Sequence, residues 1–130
     1  MRKIIIIENS DALRKVLRLM ISDIPGLSLI GEFNNAEMAL LSIYCESPDI
    51  VLLDAHLSQG GSIDFLHVIV REFPHIKVLV ASNFANPICQ RIFSDAGAYA
   101  FYDKNLQMAE VLSTMEALAE DDPLLFLKNA

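Results

Sequence analysis

The feature that most constrains this chain is a repeated alternation of short apolar runs with stretches of helical periodicity. Residues 3–7 are apolar and β-branched after Lys3, the pattern of a strand covered on both faces. Residues 11–23 then place Leu13, Val16, Leu17, Met20 and Ile21 at helical spacing, with Ser10 positioned to cap and Pro25-Gly26 to stop the helix. Residues 27–33 alternate as a weaker strand, and Asn34-Asn35 start a second helix carrying Met38, Leu41, Ile43 and Cys45. Residues 48–53 read as the clearest central strand, ending on Asp54, followed by a loop at 55–61 with Gly60-Gly61 and a helix at 62–73. A strand at 77–81 ends at Ser82. Asn86-Pro87 opens a helix to residue 95, since proline fits a first helical turn. Gly97 breaks the chain before a strand at 98–102 and a last helix at 106–119 with Met108, Val111, Leu112, Met115 and Leu118.

Strand followed by helix, five times over with short connections, predicts an α/β fold with a parallel sheet covered by helices on both faces. A length of 130 residues suits one domain, and 53% hydrophobic residues supply a substantial core. The composition shift at Asp121-Asp122-Pro123 places the domain at 1–121 and a tail at 122–130, whose apolar residues 124–127 either pack back or serve an interface.

Several function classes are excluded by composition. A net charge of −7 without any basic run argues against direct nucleic-acid binding, which needs clustered Lys and Arg. The longest apolar runs, 4–7 and 50–53, fall far short of the roughly 20 residues of a bilayer span. The run after Met1-Arg2-Lys3 stops at Glu8, too early for a secretory signal, so a cytoplasmic location without a membrane partner is expected. Cys45 and Cys89 lack metal-ligand spacing and read as two reduced thiols packed as small apolar residues. His56, His67 and His75 share no metal-ligand spacing, and Gly60-Gly61 lacks the Lys-Ser/Thr of a P-loop.

Ligands of open parallel α/β sheets bind beyond the carboxyl ends of the strands. After the first strand come Glu8 and Asn9; after the third, Asp54; after the fourth, Ser82 and Asn83; past the fifth, Lys104. Two carboxylates, a hydroxyl and a lysine thus converge on one edge. Each alone reads as an ordinary turn or surface residue; the joint placement suits phosphoryl acceptance. A carboxylate can attack phosphorus and form an acyl phosphate. A divalent cation such as Mg²⁺ offsets the repulsion between the anionic reactants, and a lysine and hydroxyl bind the remaining oxygens.

Glu8-Asn9 after "KIIII", the stretch "PDIVLLDAHLSQGGSIDFL", Ser82 after "KVLVA" and "AGAYAFYDK" ending at Lys104 make the chain resemble the receiver domain of two-component response regulators over residues 3–119. The resemblance implies a flavodoxin-like (βα)5 three-layer sandwich with a five-stranded parallel sheet in order 2-1-3-4-5. It implies that Asp54 accepts a phosphoryl group from a sensor histidine kinase or phosphotransfer protein. Mg²⁺ would be held by Glu8, Asn9, Asp54 and the His56 backbone carbonyl. Ser82 and Lys104 would bind the phosphoryl group, and Phe101 would follow Ser82 on activation, although Phe101 equally reads as a packed aromatic. The implied output surface is the fourth helix, fifth strand and fifth helix, including Gln90, Arg91 and Tyr99, through which a homodimer could form. The role is that of a signalling phosphoacceptor and not of an enzyme.

The pattern breaks in four places. Asn9 stands where the family usually has a metal-binding Asp, which removes one negative charge and leads us to expect weak Mg²⁺ binding. Ser58 replaces the usual proline four residues past the phosphoacceptor. The loop glycine is displaced to Gly60-Gly61, leaving Ser62 at its site, where Ser62 is expected to cap the next helix. Asn83 replaces a small residue; its bulk narrows access or its amide contacts the phosphoryl group. Asp11 is expected to serve the helix dipole, and the His56 side chain to lie in an exposed loop. Two readings stay open: a tuned receiver that is phosphorylated on Asp54, and a degenerate pseudo-receiver acting as a phosphate-independent interaction module. A third, a small flavin or nucleotide binder, lacks a phosphate-cradling loop after the first strand, where Glu8 would repel phosphate.

Overall fold

The computed structural model describes residues 1–120. The tail expected at 122–130, with its apolar residues 124–127, lies outside the described residues. Five strands, β1 (Arg2–Ile7), β2 (Leu27–Phe33), β3 (Ile50–Asp54), β4 (Lys77–Ser82) and β5 (Ala100–Asp103), alternate with five helices. The helices are α1 (Asp11–Ser22), α2 (Ala36–Glu46), α3 (Ser62–Glu72), α4 (Pro87–Asp95) and α5 (Met108–Glu120). All strand pairs are parallel, in the order β2-β1-β3-β4-β5. This is the parallel sheet that the alternation predicted, in the flavodoxin-like order that the resemblance implied.

Side-chain alternation along the strands divides the core into two layers. Ile4, Ile6, Leu52 and Leu79 face Leu17 and Ile21 of α1 and Val111, Met115 and Leu118 of α5. Ile5, Ile7, Val51, Leu53, Val78 and Val80 face Ala39 and Ile43 of α2, Phe65, Leu66 and Ile69 of α3, and Phe93 of α4. Both faces of the central strands are buried, which is why their sequences are continuously apolar rather than alternating.

The helix starts follow the cap residues. Ser10 Oγ accepts from the Leu13 N–H at 3.1 Å, Asn35 Oδ1 from Met38 at 2.9 Å, and Asn86 Oδ1 from Cys89 at 2.8 Å. Ser62 departs from expectation: Gly61, at φ +91°, is the N-cap of α3, and no side chain caps that helix. The exposed face of α2 also differs. Met38, Leu41 and Cys45 point outward, while Ala39 and Ile43 are buried. That helix is apolar around most of its circumference, so spacing alone does not select the covered stripe. Cys89, by contrast, is half-buried against the α2–α3–α4 core.

Register brings the strand ends level. Ile7 lies beside Leu53, Asp54 beside Ala81, and Ser82 beside Asp103. The residues that follow these positions therefore share one edge of the sheet.

Gly97 turns the chain from α4 into β5 at φ +105°, and a Cβ there would lie 2.7 Å from Val70 Cγ2. Gly97→Ala should lower the stability measured by urea unfolding by about 1–3 kcal/mol. Adding Val70→Ala should restore only the steric part, because the left-handed backbone remains unfavourable; full restoration would show that the backbone tolerates alanine.

Candidate functional site

Lys104 is the centre of the strand-end edge. Its backbone N–H donates to the Ser82 carbonyl at 2.9 Å, tying the end of β5 to that of β4. Its ammonium lies 2.5 Å from Glu8 Oε1 and 3.0 Å from Asp54 Oδ1, with all three side chains 4–6% exposed. One buried cation thus bridges the two carboxylates that come from β1 and β3.

Backbone donors complete the arrangement. The Ser10 N–H donates to Glu8 Oε2 at 3.0 Å, and the His56 N–H to Asp54 Oδ1 at 2.9 Å. Burial pushes the Glu8 carboxyl above the ordinary carboxylate range, against the opposing effect of Lys104 and the Ser10 N–H. Burial acts in the same sense on Asp54, but the His56 N–H and Lys104 outweigh it and hold that carboxyl below its usual range. Asp54 is therefore the stronger acid of the pair and is anionic at neutral pH.

Asn9 lies beside Asp54. Its amide nitrogen donates to the His56 carbonyl at 2.8 Å and to Asp54 Oδ2 at 3.3 Å. Its amide oxygen accepts from the Ser58 N–H at 3.0 Å and the Ser58 hydroxyl at 3.1 Å. The Ser62 hydroxyl donates to the Asp54 carbonyl at 2.7 Å, so Ser62 braces the strand end instead of capping α3.

Ser82 is fully buried, and its Oγ lies 2.8 Å from His56 Nε2 and accepts from the Phe84 N–H at 2.9 Å. With one donor already on Oγ, the hydroxyl proton is free to point at His56 Nε2 in the tautomer that leaves this nitrogen unprotonated. The His56 ring is thus an interacting group on an exposed residue, not a bystander in the loop. It also meets the Phe84 ring edge-on at 5.4 Å. Asn83 is exposed; its carbonyl accepts from the Asn105 amide at 3.3 Å, and among the described residues its side chain makes no hydrogen bond. Phe101 packs against Phe93 with ring centroids 5.9 Å apart, as a packed aromatic would. Asp11 opens α1 and pairs with Arg14, whose guanidinium also hydrogen-bonds the Glu8 carbonyl.

The geometry therefore unites Glu8, Asn9, Asp54, His56, Ser82 and Lys104 and leaves the side chains of Asn83 and Phe101 outside the polar network. Sequence reasoning missed the contacts of Ser58 and Ser62. The signal was present, since both are hydroxyl residues in positions where the family carries proline and glycine. The oxygens of Glu8, Asp54, the His56 carbonyl and the Asn9 amide make a hard donor set of the kind Mg²⁺ takes. Three of these present oxygen as they stand, and Asn9 does so only after its amide turns over.

The raised Glu8 carboxyl predicts a pH signature. A group that binds its proton more tightly in the folded than in the unfolded state contributes stability fully below its unfolded value, about pH 4.3. That contribution is lost as pH rises through the raised folded value. Urea unfolding in chelator should therefore show wild type losing stability relative to Glu8→Gln as pH rises from about 4.3 through the raised folded value. A difference independent of pH would overturn this reading.

A family model described as response regulator receiver domain matches residues 4–116. Response regulator GacA of Pseudomonas syringae pv. syringae (strain B728a) is 27% identical over 116 residues, 88% of this chain and 54% of that protein. The transcriptional regulatory protein LiaR of Bacillus subtilis (strain 168) is 24% identical over 130 residues, 100% of this chain and 62% of that protein. The signal receiver domain of the NarL regulator from Mycobacterium tuberculosis superposes with a TM-score of 0.80 at 20% identity, covering 92% of this chain and 97% of that one. The chain spans about half the length of the GacA relatives it matches. With a family match over nearly its whole length, on the expected sheet order, the chain belongs to the response-regulator receiver domain family.

Proposed function

We propose that this receiver accepts a phosphoryl group on Asp54 from a phosphohistidine of a sensor histidine kinase or phosphotransfer protein, with Mg²⁺ assistance. The observation that carries the reading is the Lys104 ammonium between Glu8 and Asp54, which keeps Asp54 ionised at the level strand ends. In the transfer an Asp54 carboxylate oxygen forms the bond to phosphorus and the phosphorus–nitrogen bond of the donor breaks. The electron pair of that bond returns to the imidazole, which takes up a proton. Lys104 would bind a phosphoryl oxygen, and the Ser82 hydroxyl would bind another by exchanging its His56 partner for the phosphoryl group. The residues that would hold Mg²⁺ are Glu8, Asp54, the carbonyl of His56 and, after reorientation, Asn9. The chemistry such an ion supplies is neutralisation of the charge that builds between carboxylate and phosphoryl group.

A comparison structure supports the same reading at the level of the fold. The isolated receiver domain of RcsB from Salmonella enterica serovar Typhimurium, in the presence of the phosphomimetic BeF3⁻, superposes with a TM-score of 0.83 at 17% identity, covering 92% of this chain and 89% of that one. We assign output to the α4–β5–α5 surface, where Ile88, Ile92, Tyr99 and Leu106 expose apolar side chains beside Gln90 and Arg91 and would serve a homodimer. The second reading, a phosphate-independent interaction module, draws on one observation: the Asn9 amide already satisfies Asp54 and the His56 carbonyl without a cation.

Incubation with acetyl phosphate or phosphoramidate, with and without Mg²⁺, separates the two. Intact-protein mass spectrometry should show a gain of one phosphoryl group that needs Mg²⁺ and is lost in Asp54→Asn. No gain with either donor at high Mg²⁺ would establish the interaction module instead.

A further inference from the structure

Two of the positions where this chain departs from its family, Asn9 and Ser58, are hydrogen-bonded to each other. Asn9 Oδ1 accepts both the Ser58 N–H at 3.0 Å and the Ser58 hydroxyl at 3.1 Å. On the opposite side its amide nitrogen donates to the His56 carbonyl and to Asp54 Oδ2. The orientation of the amide follows from its neighbours alone. A backbone N–H can only donate, so the atom facing Ser58 is the oxygen; a carbonyl can only accept, so the atom facing His56 is the nitrogen. Two of the groups that an oxygen-seeking cation would need, Asp54 and the His56 carbonyl, are therefore bridged by an N–H₂ group.

We propose that Asn9 and Ser58 form a latch that closes the acidic pocket in place of the cation, so that Ser58 sets the Mg²⁺ affinity by holding the Asn9 oxygen away from it. Mg²⁺ enters only when the amide turns over. The turn breaks the two bonds from Ser58 and the two made by the amide nitrogen. Proline at position 58 would carry neither the N–H nor the hydroxyl, so the two departures act as one unit. This rests on reading the pocket as a cation site, but not on Asp54 being phosphorylated. Ser58 is a positioning residue: it acts through Asn9 and touches neither carboxylate among the bonds described.

The test is a set of Mg²⁺ titrations by calorimetry, suited to a chain without tryptophan. Ser58→Pro should bind Mg²⁺ about tenfold more tightly than wild type, and Ser58→Ala, which keeps the N–H, about threefold, in line with the net worth of one or two hydrogen bonds. In an Asn9→Ala background neither substitution should change the affinity. Asn9→Asp should bind more tightly than wild type, with little further gain from Ser58→Ala. A second readout needs no metal: the Asn9 side-chain amide protons, followed by ¹⁵N–¹H NMR in chelator, should exchange slowly in wild type and faster in both Ser58 variants, while the remaining backbone amides confirm the fold. Equal Mg²⁺ affinity in wild type and the Ser58 variants, or Asn9 amide exchange that ignores Ser58, overturns the latch. Failure of phosphorylation with the affinity order intact would remove the proposed function and leave the latch standing; phosphorylation with affinities insensitive to Ser58 would do the reverse.

Discussion

The buried ammonium of Lys104 is the interaction on which the rest of the site depends. Glu8 and Asp54 come from different strands and are taken almost wholly out of water, a transfer that costs several kcal/mol per ion unless an opposite charge and hydrogen bonds offset it. Lys104 supplies the charge, and the backbone N–H groups of Ser10 and His56 supply the bonds. Two carboxylates and one ammonium leave a single net negative charge. The lysine is held where it is because its own backbone extends the β4–β5 ladder through the Ser82 carbonyl. Sheet register and site electrostatics are therefore one constraint seen at two scales.

Around that core the unusual residues of this chain satisfy each other. Asn9 reaches Ser58, His56 reaches Ser82, and Ser62 reaches the Asp54 carbonyl. Within the described residues no buried side-chain nitrogen or oxygen lacks a hydrogen-bond partner. A site of this kind is stable at rest without an added ligand, and any ligand must compete with bonds already made. Ser82 illustrates the point: its hydroxyl is engaged with the His56 ring, so any new partner for that hydroxyl must replace an existing one.

The fold was legible to the level of every element because two periods alternate cleanly along the chain. Continuous β-branched runs mark strands buried on both faces, and the residues Ser10, Asn35 and Asn86 mark helix starts by a local mechanism that does not need the rest of the protein. Legibility failed where local chemistry permits more than one outcome. In α2 a nearly continuous apolar surface left the buried stripe undetermined, and Met38 and Leu41 are exposed. At Ser62 the hydroxyl had a local use as a cap and a distant one at the Asp54 carbonyl, eight residues back, and the distant one prevailed. There Gly61 occupies the cap position with a left-handed backbone.

What the sequence by itself determined is the order of the elements and the identity of the groups at the strand ends, because both follow from periodicity and from the rule that parallel strands deliver their last residues to a common edge. Asp54, Glu8, Ser82 and Lys104 could be chosen on that ground, and the loss of a charge at Asn9 could be read directly. Only the tertiary structure decided what these groups do to one another. Lys104 bridges two carboxylates rather than one, the Asn9 amide presents nitrogen rather than oxygen to Asp54, and the His56 ring holds Ser82. Each depends on orientations and on contacts between residues 26 to 96 positions apart, reached through the sheet register. The same residue types at the same spacing allow either face of an amide and either partner of a hydroxyl; folding selects one by satisfying the buried side-chain donors and acceptors of the described residues together.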